Sequence, residues 1–289
     1  MKVNIISDRQ VIDWSHEGDK YRVLIRRAEE PDNPRAFGNL ALMACWHPRY
    51  SLGDRFICDK TPEIFWRRQV SKNVPSEDAL RVAKEGKLPG IFADDIFGDL
   101  RVWTKSTEGI DIWWNLVTER LTAQNFLSYM LDDLSVSDCM TLLEPYANWM
   151  PLWLYDHSGL SVSCGARSGQ FADRWDSSQL GWIFVLKKDL PQNTGNWRAA
   201  SFDIMHEEVE AYNNYLTGDV YSFYLYKKAS PETKSVWRPL DSGCYYYGCD
   251  IVKSGMMADI GYGLKEALEA KACGIFEVAE GEEDTWLQD

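Results

Sequence analysis

The chain lacks any run of the roughly 18 to 20 apolar residues that a membrane-spanning helix requires. Its opening residues, Met1 to Arg9, hold no apolar stretch of signal-peptide length. Neither membrane insertion nor export is therefore expected, and the protein is expected to act in the cytoplasm. Both common glycine-rich phosphate loops are missing as well. Cations are in short supply: 31 Lys and Arg face 44 Asp and Glu, a net charge of −13. Direct nucleic-acid binding needs Lys and Arg to neutralise phosphates, so this balance argues against it. Seven cysteines, an odd number scattered along a long chain, follow no disulfide framework and read as free thiols. Cys244 and Cys249 have no second pair and no histidine at zinc-finger spacing, so neither a metal nor a cofactor is expected.

Aromatic side chains are plentiful, with 13 Trp, 14 Tyr and 11 Phe in a hydrophobic fraction of 45%. That is enough to fill a substantial core, which separates this chain from disordered ones. Trp and Tyr also suit interfaces, because they join an apolar body to a polar tip. Toward the C-terminal end Glu277, Glu280, Glu282, Glu283, Asp284 and Asp289 meet no Lys or Arg and read as a solvated tail.

Hydrophobic patterning gives strands at Val3–Ile6, Tyr21–Ile25 and Leu40–Trp46, with a turn at Pro31–Pro34 between the last two. Thr61-Pro62-Glu63 predicts a helix start, and Ser76-Glu77-Asp78 a second helix that stops near Gly86. Helical patterns are expected from Asp111 to Leu143. Pro151–Tyr155 and Leu160–Ser163 predict a hairpin around Asp156-His157-Ser158-Gly159, and Trp182–Leu186 predicts a central strand. Ser201 is expected to cap a helix ended by Gly218, followed by a strand over Val220–Tyr226 and a last helix over Ala258–Ala272.

Few residues are arranged for catalysis. Asp156, His157 and Ser158 are the residue types of a catalytic triad, but neighbours on a hairpin tip cannot line up nucleophile, base and orienter, so turn chemistry is the expectation. Trp175, Asp176, Ser177, Ser178 and Gln179 offer a carboxylate, hydroxyls and an amide before a central strand. They read either as a ligand loop or, the favoured reading, as an Asx turn. A Cys–His pair drawn from Cys164 or Cys244 with His47 or His157 would suit thiol chemistry, but nothing in the spacing supports it. His206-Glu207-Glu208 lacks the second histidine of a zincin helix, and Asp94, Asp95 and Asp99 read as a solvated acidic loop.

Several stretches resemble a protein family of phages and mobile elements of gut bacteria. They are Cys45-Trp46-His47-Pro48-Arg49-Tyr50-Ser51-Leu52-Gly53-Asp54, Leu152–Gly159, Trp175–Gly181, Glu208–Tyr212 and Tyr215–Tyr221. Asp241-Ser242-Gly243-Cys244 with Tyr247-Gly248 is similar to the family's closing motif, except that Gly243 interrupts an Asp-Ser-Cys run. Pro48 stands where relatives usually carry a basic residue. The resemblance covers residues 20–54 and 150–262. It implies an α/β (α+β) fold with a mixed-sheet core, residues 1–54 and 149–289, and a mostly helical insertion at 55–148. An insertion of this kind suits partner recognition.

The functional expectation is a phage or mobile-element accessory protein that inhibits, without catalysis, a host antiviral-defence complex presenting a basic surface. A homo-oligomer is left open, as is a basic patch at Arg67 and Arg68 that would instead face an acidic partner. The expected binding residues are His47, Arg49, Tyr50, Asp54, Asp156, His157, Ser158, Trp175, Asp176, Ser177 and Gln179. The alternatives are a small hydrolase or nucleotide-processing enzyme using the Asp-His-Ser-Gly and Trp-Asp-Ser loops, and a structural or assembly protein of the element.

Overall fold

The structure is a computed structural model that describes residues 2–54, 60–96, 99–105, 111–114, 122–172, 175–229 and 236–280. In chain order the elements are β1 (Arg9–His16), β2 (Asp19–Arg27), β3 (Leu42–Cys45), α1 (Pro62–Asn73), α2 (Ser76–Lys84), β4 (Ile91–Ile96), β5 (Asp99–Lys105) and β6 (Asp111–Trp114). They continue with α3 (Phe126–Met130), α4 (Val136–Leu143), β7 (Ala147–Asp156), β8 (Leu160–Cys164), β9 (Ser177–Leu186) and α5 (Trp197–Thr217). The last are β10 (Val220–Lys228), β11 (Trp237–Tyr247), α6 (Met256–Ile260), α7 (Leu264–Glu269) and β12 (Gly274–Glu277). The fold is α+β. Among the described residues the sheets run in the orders β11-β10-β2-β1-β12, β3-β9-β7-β8 and β4-β5-β6. All pairings in the first sheet are antiparallel, so the expected mixed sheet is absent there. Among the described residues no helix is long and apolar enough to cross a membrane.

Contacts divide the chain into two compact units: residues 1–37, 155–163 and 208–289, and residues 38–154 and 164–207. The first is built on the five-stranded sheet. Glu17 and Gly18 (φ +51° and +86°) form the two-residue turn between β1 and β2, the geometry whose twist matches a hairpin. Period-two alternation sends Tyr21, Val23 and Ile25 of β2, with Tyr221, Phe223 and Leu225 of β10, to one face. There they meet Met256, Met257 and Ile260 of α6 and Leu264 of α7. Val11, Leu24, Tyr226 and Trp237 form a smaller cluster. Gly243 is accommodated by a bulge. The register steps between Tyr221↔Tyr246 and Phe223↔Gly243, Tyr245 takes φ +63°, and a Cβ at Gly243 would sit 2.5 Å from the Phe223 ring.

In the second unit Thr61, Pro62 and Glu63 start α1 as the sequence predicts. Phe65, Trp66 and Val70 of this helix share one core with Ala44 of β3, Phe184 and Leu186 of β9, and Leu142 and Leu143 of α4. Trp66 contacts Trp149, Trp182 and Phe184 edge-on, with ring centroids 5.5 to 5.9 Å apart. The helices after residue 60 therefore complete the core over β3 and β9, a different division from a core with a detachable insertion. Residues 20–54 and 150–262 also fall in two sheets rather than one. The region expected to be helical contains the antiparallel β4-β5-β6 sheet, and Asp94, Asp95 and Asp99 lie on its strands. Ser201 is not a cap: α5 begins a turn earlier, and buried Ser201 donates to Arg198 O (2.8 Å) while accepting from Asn148 Nδ2 (2.9 Å). Residues 281–289, which carry most of the acidic tail, lie outside the described residues, as does Cys58.

Candidate functional site

Two of the sequence-predicted stretches meet at one end of the β3–β9 pair. Cys45 lies opposite Gly181, and the Trp46 amide donates to Leu180 O at 2.9 Å. The chain leaving β3 as His47–Tyr50 thus starts beside the chain entering β9 as Trp175–Gln179. Two glycines permit the approach. A Cβ at Gly181 would lie 1.9 Å from the Ala44 carbonyl oxygen, and one at Gly53 (φ +73°) would lie 2.5 Å from Met43 O and 2.7 Å from Cys45 Sγ.

Asp54 closes the loop that starts at Trp46. Its amide donates to Met43 O at 3.0 Å, and its Oδ2 accepts from the Met43 amide at 2.7 Å. The side chain is buried, so this acid clasps the loop to β3 instead of facing solvent. The loop frames a cavity of about 660 Å³ lined by Cys45, His47, Arg49, Tyr50, Ser51 and Lys60, among others. His47 stacks on Tyr50 with centroids 5.0 Å apart and planes 9° apart, and the Arg49 guanidinium carbon lies 5.3 Å from the Tyr50 ring centroid. The Arg49 amide donates to His47 Nδ1 at 3.3 Å, which makes that nitrogen an acceptor and leaves the ring proton on Nε2. His47 is thereby held as a stacking platform, with one nitrogen already committed to the backbone.

The second loop is braced from inside. Ser177 is buried: its Oγ donates to Phe171 O at 2.8 Å and accepts from Arg167 at 2.6 Å. Arg167 also donates to Phe171 O at 2.9 Å and lies 4.8 Å from the Trp153 ring centroid, while Trp153 Nε1 donates to Gly165 O at 2.7 Å. Ser177 therefore organises the loop rather than meeting a ligand. Trp175 is 94% exposed, Asp176 half-buried and Gln179 exposed, with Gln179 Nε2 donating to Gly181 O at 3.4 Å.

Cys164 does have a histidine partner, but neither of those weighed from the sequence. Its Sγ lies 3.3 Å from Nδ1 of His206 on α5. Burial pushes the Cys164 thiol up to about 12, so at neutral pH it is protonated and a poor nucleophile. From the sequence His206 is weighed only as part of a zincin-like helix and Arg167 not at all, because both acquire their roles only when distant segments close on them.

Asp156, His157 and Ser158 lie at the β7–β8 turn, in the first unit. Ser158 takes φ +59°, so the serine carries the left-handed turn position, and His157 is tilted against Tyr155 at 6.1 Å. Among the described residues no group of His, Cys, Asp and Glu could hold a metal ion. Arg67 of the expected basic patch donates its Nε to Leu134 O at 2.8 Å. No family model, curated protein or solved structure matches the chain.

Proposed function

We propose that this protein acts by binding a protein of the host cell and blocking it, and that the contact face is the end of the β3–β9 pair carrying His47, Arg49, Tyr50, Trp175 and Asp176. The observation that carries the reading is Trp175. A tryptophan 94% exposed on a loop braced by Ser177 and Arg167 is presented at little ordering cost. Buried by a partner, such a side chain is the residue type most often found as an energetic hot spot. The net charge of −13 favours a partner with a basic surface, which it would steer inward over a Debye length of about 8 Å. A host antiviral-defence complex is the partner class, on the resemblance to phage and mobile-element proteins.

Catalysis at the same end has little support. The Asp54 carboxylate holds the loop, His47 Nδ1 receives a backbone amide, and the buried Ser177 hydroxyl is bonded on both sides. The one observation favouring an enzyme is the Cys164–His206 contact, and the raised thiol opposes it.

The test is phage challenge of bacteria carrying defined defence systems and expressing this protein. Wild type should restore infection. Trp175→Ala should reduce the effect at least tenfold, about 1.4 kcal/mol of lost binding, whereas Cys164→Ala and His206→Ala should retain it. Loss with either of the latter in a variant that melts normally would convert the reading to an enzyme. Failure of wild type to restore infection against any system removes the inhibitor reading.

A further inference from the structure

The other end of β9 carries a second concavity, unrelated to the loops above. We propose that this cavity, about 400 Å³ and lined by Lys72, Asn73, Tyr146, Leu186, Lys187 and Lys188, binds a small phosphate monoester carrying a planar ring. Three lysines share its lining with Leu186 and Tyr146. The size falls within the range of small-ligand pockets.

The lysines come from two separate elements. Lys72 and Asn73 form the last turn of α1, whereas Lys187 and Lys188 lie in a 3-10 turn that follows β9. That turn is pinned: the Lys187 amide donates to Tyr146 O at 2.8 Å, and the Leu190 amide donates to Lys187 O at 3.3 Å. Asn73 is oriented as well. Its Nδ2 donates to Gln69 O at 2.8 Å, which turns Oδ1 toward Lys188 Nζ, also at 2.8 Å. The Lys187 ammonium lies 5.4 Å from the Trp197 ring centroid. The Tyr146 hydroxyl donates to Asp78, so this ring is fixed as a wall.

Charge decides the ligand class. In a chain with thirteen more acids than bases, cations such as Arg22, Arg35, Lys227 and Lys253 pair with carboxylates. Lys72, Lys187 and Lys188 form no ion pair among the described residues. Three like charges on residues lining one small cavity favour an anionic ligand. A phosphate monoester brings a charge of about −1.5 to −2 and three strong acceptor oxygens at neutral pH. A carboxylate brings half of that and leaves more of the ammonium charge uncompensated. Lysine serves phosphate as a mobile point charge, whereas arginine's rigid fork matches a carboxylate in two-point contact. A bare phosphate, in turn, would leave the Tyr146 and Leu186 walls without a partner, so the ligand needs a flat apolar body.

Isothermal titration calorimetry on the full chain tests the site with four probes: phenyl phosphate, adenosine monophosphate, inorganic phosphate and benzoate. At least one ring-bearing monoester should bind about tenfold or more tightly than both inorganic phosphate and benzoate, and which of the two binds separates an aryl phosphate from a nucleotide. Lys72→Ala and Lys188→Ala, exposed substitutions on different elements, should each weaken that binding about five- to tenfold in protein with unchanged melting. Three results would overturn the proposal: no binding of either monoester at millimolar concentration, inorganic phosphate or benzoate binding as tightly, or affinity indifferent to both substitutions.

Discussion

Met43 and Asp54 exchange two hydrogen bonds, the Met43 amide to the Asp54 carboxylate at 2.7 Å and the Asp54 amide to the Met43 carbonyl at 3.0 Å. Side chain and backbone of one residue thus reproduce a rung of ladder along the edge of β3 opposite β9, where no strand pairs with it among the described residues. Removing the acceptor leaves a buried amide unpaired, so Asp54→Ala should destabilise the protein by about 2 kcal/mol, read from urea unfolding. Asp54→Asn keeps an acceptor oxygen and should recover most of that loss. Equal effects of the two substitutions would mean that the acceptor is not what holds the loop.

Gly181 predicts a second, larger effect. A Cβ there would meet the Ala44 carbonyl at 1.9 Å, and the obstacle is backbone, which cannot rotate away. Gly181→Ala should cost about 3 kcal/mol or more by forcing β3 and β9 apart. Gly195→Ala is the control. Nothing lies within 4 Å of its Cβ, and its melting temperature should barely move.

Buried Arg35 and partly buried Glu208 pair in the first unit at 2.7 Å, with side chains 2% and 16% exposed. Arg35→Met takes the buried cation away from Glu208, and should cost about 3 kcal/mol. Adding Glu208→Leu removes that charge and should restore a large part of the loss. A double variant as unstable as the single one would show that Arg35 acts through packing alone.

Alkali should unfold the protein over a definable window. Burial pushes the Cys139 and Cys164 thiols from an ordinary 9.0 up to about 12. Burial, with Asp32 nearby, likewise raises the Tyr247 phenol from 10.0 to about 12. For each group the folded state holds its proton more tightly than the unfolded chain does. The stabilisation is therefore complete below pH 9 and lost as pH rises from 9 toward 12. Chemical-denaturation midpoints measured across that window should fall steadily. In Cys139→Ala and Cys164→Ala, compared with wild type, the decline should be shallower.

Local rules reached only part of this architecture. The start of α1 was legible because Thr61, Pro62 and Glu63 constrain dihedrals without help from distant residues. The hairpin around Asp156–Gly159 and the central strand β9 were legible for the same reason. β1 escaped because Gln10, Asp13 and Ser15 interrupt its apolar residues, yet Gln10 is 2% exposed and accepts the Ile6 amide at 3.0 Å. β11 escaped because Pro239 and Gly243 resemble breaks and become tolerable only at the edge of a sheet that bulges. The helix expected over Ala258–Ala272 is two short helices, since Gly261, Tyr262 and Gly263 all take positive φ. At the candidate site the residue types at His47–Asp54 and Trp175–Gln179 drew attention to the right end of the sheet. Their division of labour was not readable there. Asp54 and Ser177 turned out to be braces because of what Met43, Phe171 and Arg167 bring to them.

The order of strands in the first sheet also sets a timetable. β2 lies between β1 and β10, and Arg27 at its end donates to the carbonyl of Gly218, 191 residues further along the chain. At ribosomal rates of about 5 to 20 residues per second, that separation takes on the order of 10 to 40 s to emerge. Through that interval the newborn β1–β2 hairpin has a bare edge with Val23, Leu24 and Ile25 uncovered, while every element of the second unit is being made. The β1–β2 hairpin therefore waits for its partner strand far longer than a pair of neighbouring strands would. Its exposure to chaperones, proteases and other nascent chains is set by the length of everything encoded between its two ends of contact.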